Sequence, residues 1–516
     1  MDRRSFFKSA GAVSAVAATS VISLEAMAQT GGNTSPLAAG GESLATSKNK
    51  PLFSNNPQLT PMRGFSGQDV SCDNLAIEGK IPAELRGIFY RNGPGLFERN
   101  GQRYQHWFDG DGLVNQWRFT DKGVSHQARF VRTEKFVAEA EANDFLFPVF
   151  GSRIKAKRAM KNSDSVNTAN TSVVKVGDKL LAMWEGGSAY ELDPITLETR
   201  GAVVWKPELK AMPFSAHPKV EADGTFWNFG TLMMGKTVLY HISAKGDLLR
   251  YHLIDAPPSA MVHDFAVSQK HIIFLLAPIT LDQTMLRAGA GFGESMKWNN
   301  AGSTKVLIVD KADFTKQRIL ELPPFMVFHF GNAWEENNVI RVDFVKSNNL
   351  NIMSDYMPKI MRGELTKSAA SNAAFLKIDL NSGKLSMETR EEQLEFPRVD
   401  PRFVAARNRY VFYPTFIGRE DTRWGFNAVM RLDVESGKTD TYSFGEDFHV
   451  EEHIVVGRPD GTKEGDGWLI GVGFDVQRQQ TFATVFDALN LKAGPVAIAR
   501  LPYWMPTCFH GNFHQA

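Results

Sequence analysis

Cysteine is nearly absent: the 516 residues hold two, Cys72 and Cys508. A chain this long can bury a sizeable core without a disulfide framework, so these two are expected as separate buried thiols rather than a bridge. Charge of one sign is lacking too. Lys and Arg number 58 against 57 Asp and Glu, a net +1 spread along the chain, which excludes the basic footprint of a nucleic-acid binder. Beyond residue 28 no stretch approaches the roughly eighteen uninterrupted apolar residues of a membrane-spanning helix. Long helical periodicity is scarce. No dinucleotide fingerprint occurs either, because Gly289-Ala290-Gly291-Phe292-Gly293 lacks a strand before it and a helix after it and reads as a loop.

What is present begins with an address. Arg3-Arg4-Ser5-Phe6-Phe7-Lys8, a weakly apolar run from Ala10 to Leu24 and Ala26-Met27-Ala28 match a twin-arginine export signal with cleavage before Gln29. Residues 1–28 are therefore expected to be removed, and the mature protein is expected in a bacterial periplasm. Residues 29–60 are rich in Gly, Ser, Thr, Asn and Lys and read as a flexible leader, leaving 61–516 as the folded domain.

In that domain one pattern recurs: a short apolar strand, a turn built on Asp, Gly, Lys or Asn, and a second strand with alternating character. It occurs at 117–123, 190–194, 240–246, 307–311, 376–384, 431–438 and 485–490. Seven similar hairpins with almost no helix between them predict an all-β fold, a seven-bladed β-propeller. The stretches 143–163, 280–299 and 353–373 lack the strand pattern and are expected as insertions forming a loop and helix lid over one face.

Most of the twelve histidines lie in unremarkable polar or strand-end contexts. His106, in His106-Trp107-Phe108-Asp109-Gly110-Asp111-Gly112, has aspartates nearby, but the run reads better as a tight turn than as a metal site. His217, His263, His329 and His510 each lie beside a strand of a different predicted blade. Taken singly, each reads as a core histidine. Because inner strands of a propeller converge on its axis, the four can also meet at one metal.

The motifs together resemble the carotenoid cleavage oxygenase family over nearly everything after the leader. They are Gly87-Ile88-Phe89-Tyr90-Arg91-Asn92-Gly93-Pro94, the His106–Gly112 run, Thr168-Ala169-Asn170-Thr171 and the four histidine boxes in order. The resemblance implies one Fe(II) held by His217, His263, His329 and His510, with O2 as co-substrate and a conjugated alkene split into two carbonyl compounds. Imidazole suits such an ion, and four neutral ligands leave positions for O2. The family's three supporting glutamates match Glu185, Glu395 and Glu452, although Glu451 adjoins the last and a surface reading of that pair stays open. Ligating histidines need such partners to fix tautomer and ring angle.

The expected partner is a hydrophobic small-molecule alkene. Relatives that cleave hydroxylated stilbenes hold the phenol with a tyrosine and a lysine; here Phe130 is expected at the tyrosine's place and Lys161 as the amine, which ranks apocarotenoids ahead of stilbenes. The dense apolar patch 145–150 is expected either to touch a membrane surface or to plug the lid. A propeller that only binds, with no chemistry, is the remaining alternative.

Overall fold

The computed structural model describes residues 53–516 except Met233, Met234, Ala369 and 419–423. The export segment and most of the expected leader lie outside the described residues. The leader ends earlier than the sequence suggests: Pro57–Met62 forms a 3-10 turn capped by the Asn56 side chain, with Leu59, Thr60, Pro61 and Met62 buried. The run is short and proline-bearing, which hid its packing role.

Among the described residues the strands form seven sheets of three to five strands and two short ribbons. All seven predicted hairpins are found, each joining the two outer strands of one sheet or the strands next to them. Several turn by the same local chemistry. The side chains of Asp193, Asp310, Asp379 and Asp433 each accept from backbone N–H groups two and three residues on, closing the turn before a second strand is paired.

Burial changes across each blade. Gln480–Asp487, in the middle of its sheet, is buried on both faces except at its ends, whereas the edge strand Gln317–Leu322 alternates exposed and half-buried. Middle strands are covered by neighbouring blades on both sides and so read as continuous apolar runs; edge strands are not.

The ring closes through both ends of the chain. His510–Gln515 pairs with Gly87–Leu96, and Ala76–Gly79 pairs with Ala497–Arg500, so the first and last blades each hold strands from both termini. Ser172, Val220, Ala266, Gly331 and Asn512, from the inner edges of five blades, line one cavity.

The expected insertions pack together as a lid. Phe145, Ile360 and Met361 share a cluster with Leu59, Tyr104 and Trp424, while Met353, Phe150 and Phe292 share another with Met261 and Phe328. The patch at 145–150 therefore faces inward, with Phe145 and Phe147 buried. Leu146, Pro148, Val149 and Phe150 are half-buried in the lid.

Candidate metal centre

His217 and His263 lie just before the inner strands Lys219–Val220 and Ala266–Val267. His329 lies within Met326–Glu336, and His510 begins His510–Gln515. The strand holding His329 departs from regular register on both sides of Phe330, and such irregularities re-aim a side chain away from the pleat. The result is one buried cluster: a ring nitrogen from each of the four histidines lies within 4.8 Å of the others.

The His217 and His263 Nε2 atoms are 2.9 Å apart, and those of His263 and His329 are 3.1 Å apart. Two imidazoles bound at right angles to one ion, at about 2.1 Å each, place their nitrogens about 3 Å apart. The spacing fits a shared cation.

The opposite ring nitrogens explain why the lone pairs converge. His263 Nδ1 pairs with Glu185, His329 Nδ1 donates to Glu395 at 2.5 Å, and His510 Nδ1 donates to Glu452 at 2.8 Å. With the proton held on Nδ1, each Nε2 presents a lone pair to the centre. Burial, and then the neighbouring imidazoles, hold His217 well below the usual histidine range; burial also brings His510 down to about 3. These two are neutral donors at physiological pH. For His263 burial lowers the value, but the Glu185, Asp264 and Glu395 carboxylates together raise it, a tendency that a cation at the centre opposes.

Glu452 is not a surface residue. It is 2% exposed, and besides His510 it accepts from Arg398 Nε at 2.8 Å, Arg91 Nη1 at 2.7 Å and the Gly511 N–H. Burial works against its charge, yet Arg398 and His510 hold its pKa well below the carboxylate range. Arg91, wholly buried, also binds Glu451 through Nη2 at 2.9 Å.

These contacts give the Gly87–Pro94 motif its reason. Arg91 anchors the carboxylate pair, and the Asn92 side chain donates to the Ala169 and Ser172 carbonyls of the next blade. Gly93 admits the other chain end, since a Cβ there would lie 2.5 Å from the Cys508 Cα.

Three supporting residues went unread in the sequence. Asp264 ties the histidine strands together, accepting from the Phe330 N–H at 2.8 Å and pairing with Lys219 at 2.8 Å. Arg91 and Arg398 fix Glu452. A lone arginine in the apolar run from Gly87 to Pro94 was the available signal for Arg91; nothing local marks the other two.

The His106 run forms a 3-10 turn over Trp107–Asp109, but the tight turn expected at Asp109–Gly112 does not form, because Gly110 is extended and Asp111 opens a strand. His106 Nδ1 accepts from the Phe108 N–H, its Nε2 donates to the Met353 carbonyl at 3.1 Å, and Asp109 accepts from Ser152 and Gly151. The run thus fastens the lid to the first blade. Cys72 and Cys508 are both free.

Both substrate-pocket assignments fail. Phe130 is 4% exposed and stacks on Phe136 at 5.4 Å within the first blade's core, and Lys161 is exposed on the lid loop. Neither lines the cavity beside the histidines. Alternation along Gly123–Phe130 turns residue 130 into the blade, and this orientation overrides the match by position.

The cavity wall is instead aromatic: Trp107, Phe108, Phe150, Trp184, Phe328, Phe396, Trp424 and Phe509 enclose a space reaching His263, His329 and His510. Phe396 sits at φ 50° and stacks on the His329 ring at 5.0 Å, while its N–H donates to Glu395. A bulky residue in that left-handed region costs energy and persists because its surroundings hold it there. No lysine or arginine lines the cavity among the described residues.

Residues 66–515 match the family described as retinal pigment epithelial membrane protein. The chain belongs to that family, the carotenoid cleavage oxygenases. This oxygenase is 31% identical to apocarotenoid-15,15'-oxygenase of Synechocystis, over 88% of its own length and 96% of the relative's. It is 29% identical to isoeugenol monooxygenase of Pseudomonas nitroreducens, over 89% and 98% of the two chains. It is likewise 29% identical to lignostilbene-alpha,beta-dioxygenase isozyme III of Sphingomonas paucimobilis, over 86% and 94%. The crystal structure of cobalt-substituted Synechocystis apocarotenoid oxygenase superposes with a TM-score of 0.82 at 29% identity, covering 90% of this chain and all of that one. The protein is an oxidoreductase of the double-bond-cleaving type, and its propeller carries chemistry rather than binding alone.

Proposed function

We propose that this oxygenase holds one iron(II) on His217, His263, His329 and His510 and, with O2, cleaves one conjugated double bond of an apocarotenoid into two carbonyl products. The observation that carries the substrate is the cavity wall, rich in aromatic side chains and free of lysine and arginine among the described residues. Such a wall gains from burying a long apolar chain and offers no cation to a phenolate. An iron(II) held by those four imidazoles would supply the redox chemistry for reaction of O2 with an alkene.

The chain's own residues do the rest. Glu185, Glu395 and Glu452 keep each proton on Nδ1, and Arg91 and Arg398 keep Glu452 charged. Phe328, Phe396 and Phe509 strip water from the alkene and keep it beside the centre. Similarity to lignostilbene dioxygenase makes stilbene cleavage the second reading.

Turnover of an apocarotenal and of a 4-hydroxystilbene by the iron-loaded protein is the deciding assay. Faster release of aldehyde from the apocarotenal is expected; faster stilbene cleavage reverses the order. His263→Ala is expected to lose iron, read by elemental analysis. We also propose export through the twin-arginine segment, tested by fractionating cells that carry Arg3→Lys with Arg4→Lys; mature protein still found in the periplasm overturns it.

A further inference from the structure

The cavity is apolar along most of its length but has a polar node in its wall. Tyr356 ends the π-helical turn Ile352–Tyr356 of the lid. Its phenol lies beside the Gly425 backbone, and burial pushes it up to about 12, so the hydroxyl keeps its proton at neutral pH. A protonated hydroxyl in the cavity wall can donate to a ligand oxygen.

His449 also approaches Gly425, since a Cβ there would lie 3.7 Å from Nδ1. The His449 ring lies 5.2 Å from Trp424 and parallel to Phe474. Tyr356, Gly425 and His449 all line the cavity.

An aromatic path joins this node to the metal centre. Trp424 meets Trp107 at 5.8 Å, and Trp107 meets Phe509 at 4.5 Å, the residue before His510. Distance along the strand agrees. His449 and Glu452 belong to Phe448–Gly457, three residues apart, hence about 10 Å. Glu452 in turn holds His510.

We propose that Tyr356 and His449 hold the oxygen-bearing end of the substrate, the aldehyde or alcohol of an apocarotenoid. The polyene then lies along Trp424, Trp107 and Phe509, and the anchor sets which double bond reaches the histidines. This inference rests on the apocarotenoid reading above.

Binding tests it without turnover. Trp107, Trp184 and Trp424 line the cavity, so a bound polyene quenches tryptophan fluorescence. The metal-free full-length protein is titrated with an all-trans polyene aldehyde and with the hydrocarbon of equal length, as wild type and as Tyr356→Phe. One neutral hydrogen bond corresponds to about a three- to tenfold change in Kd. The wild type is expected to prefer the aldehyde by that factor, and Tyr356→Phe to lose the preference while its hydrocarbon affinity stays unchanged. That unchanged affinity also shows the variant to be folded. Equal wild-type affinities, no binding of the aldehyde, or a variant weakened equally toward both ligands overturns the proposal. Aldehyde selectivity in a protein that cleaves no apocarotenal leaves the anchor standing and removes only the reading of function.

Discussion

Arg91 shows how much a single residue carries at this site. Fully buried, it neutralises Glu451 and Glu452, and removing it leaves two carboxylates facing one another in the core, with Arg398 touching only the second. Loss of one partner from a buried pair typically costs about 3 to 5 kcal/mol. Arg91→Met is therefore expected to lower unfolding stability by about 3 kcal/mol in urea titrations; a loss below about 1 kcal/mol would show that the pair contributes little.

His126 has a different consequence. Burial between Asn115 and Tyr503 brings it from near 6.5 down to about 3. The unfolded chain then takes up a proton below pH 6.5 that the folded chain refuses. Its contribution is complete above that pH and is lost as pH falls from 6.5 toward 3. Between pH 7 and pH 5 the loss is about 2 kcal/mol. In His126→Gln the stability difference between pH 7 and pH 5 is expected to shrink by that amount; an unchanged difference contradicts the assignment.

At the scale of the element, one strand decides what Phe130 does. Gly123–Phe130 alternates between half-buried and buried residues, and Phe130 falls on the buried side against Leu113 and Phe136. Phe130→Tyr is expected to leave the ratio of apocarotenal to hydroxystilbene turnover unchanged, because the ring touches no part of the cavity. The same change places a hydroxyl in an apolar core, so a lower thermal midpoint is the expected effect. A shift in substrate ratio would mean that the first blade moves to meet the substrate. The seven hairpins, by contrast, were legible in the sequence, because their turns are local; in four of them an Asp acts on N–H groups two and three residues away. The irregular register around Phe330, which turns His329 to the axis, was not legible, since it depends on how two strands pair.

For the whole molecule, ring closure and the histidine cluster depend on the same strand. His510–Gln515 supplies one histidine of the cluster and completes the first blade. Deleting residues 510–516 is expected to abolish the native near-ultraviolet circular dichroism as well as metal binding; a variant that keeps the native spectrum would show that the ring closes without its last strand. The sequence by itself determined the repeat, the turns and the histidine boxes, because each is written in neighbouring residues, and the family resemblance pointed to their glutamates. Only the tertiary structure decided that Glu452 is buried, that Arg91, Asp264 and Arg398 support the centre, and that Tyr356 and His449 share one cavity wall. Those residues are far apart in the chain, and only the closure of seven blades around one axis brings their side chains within reach.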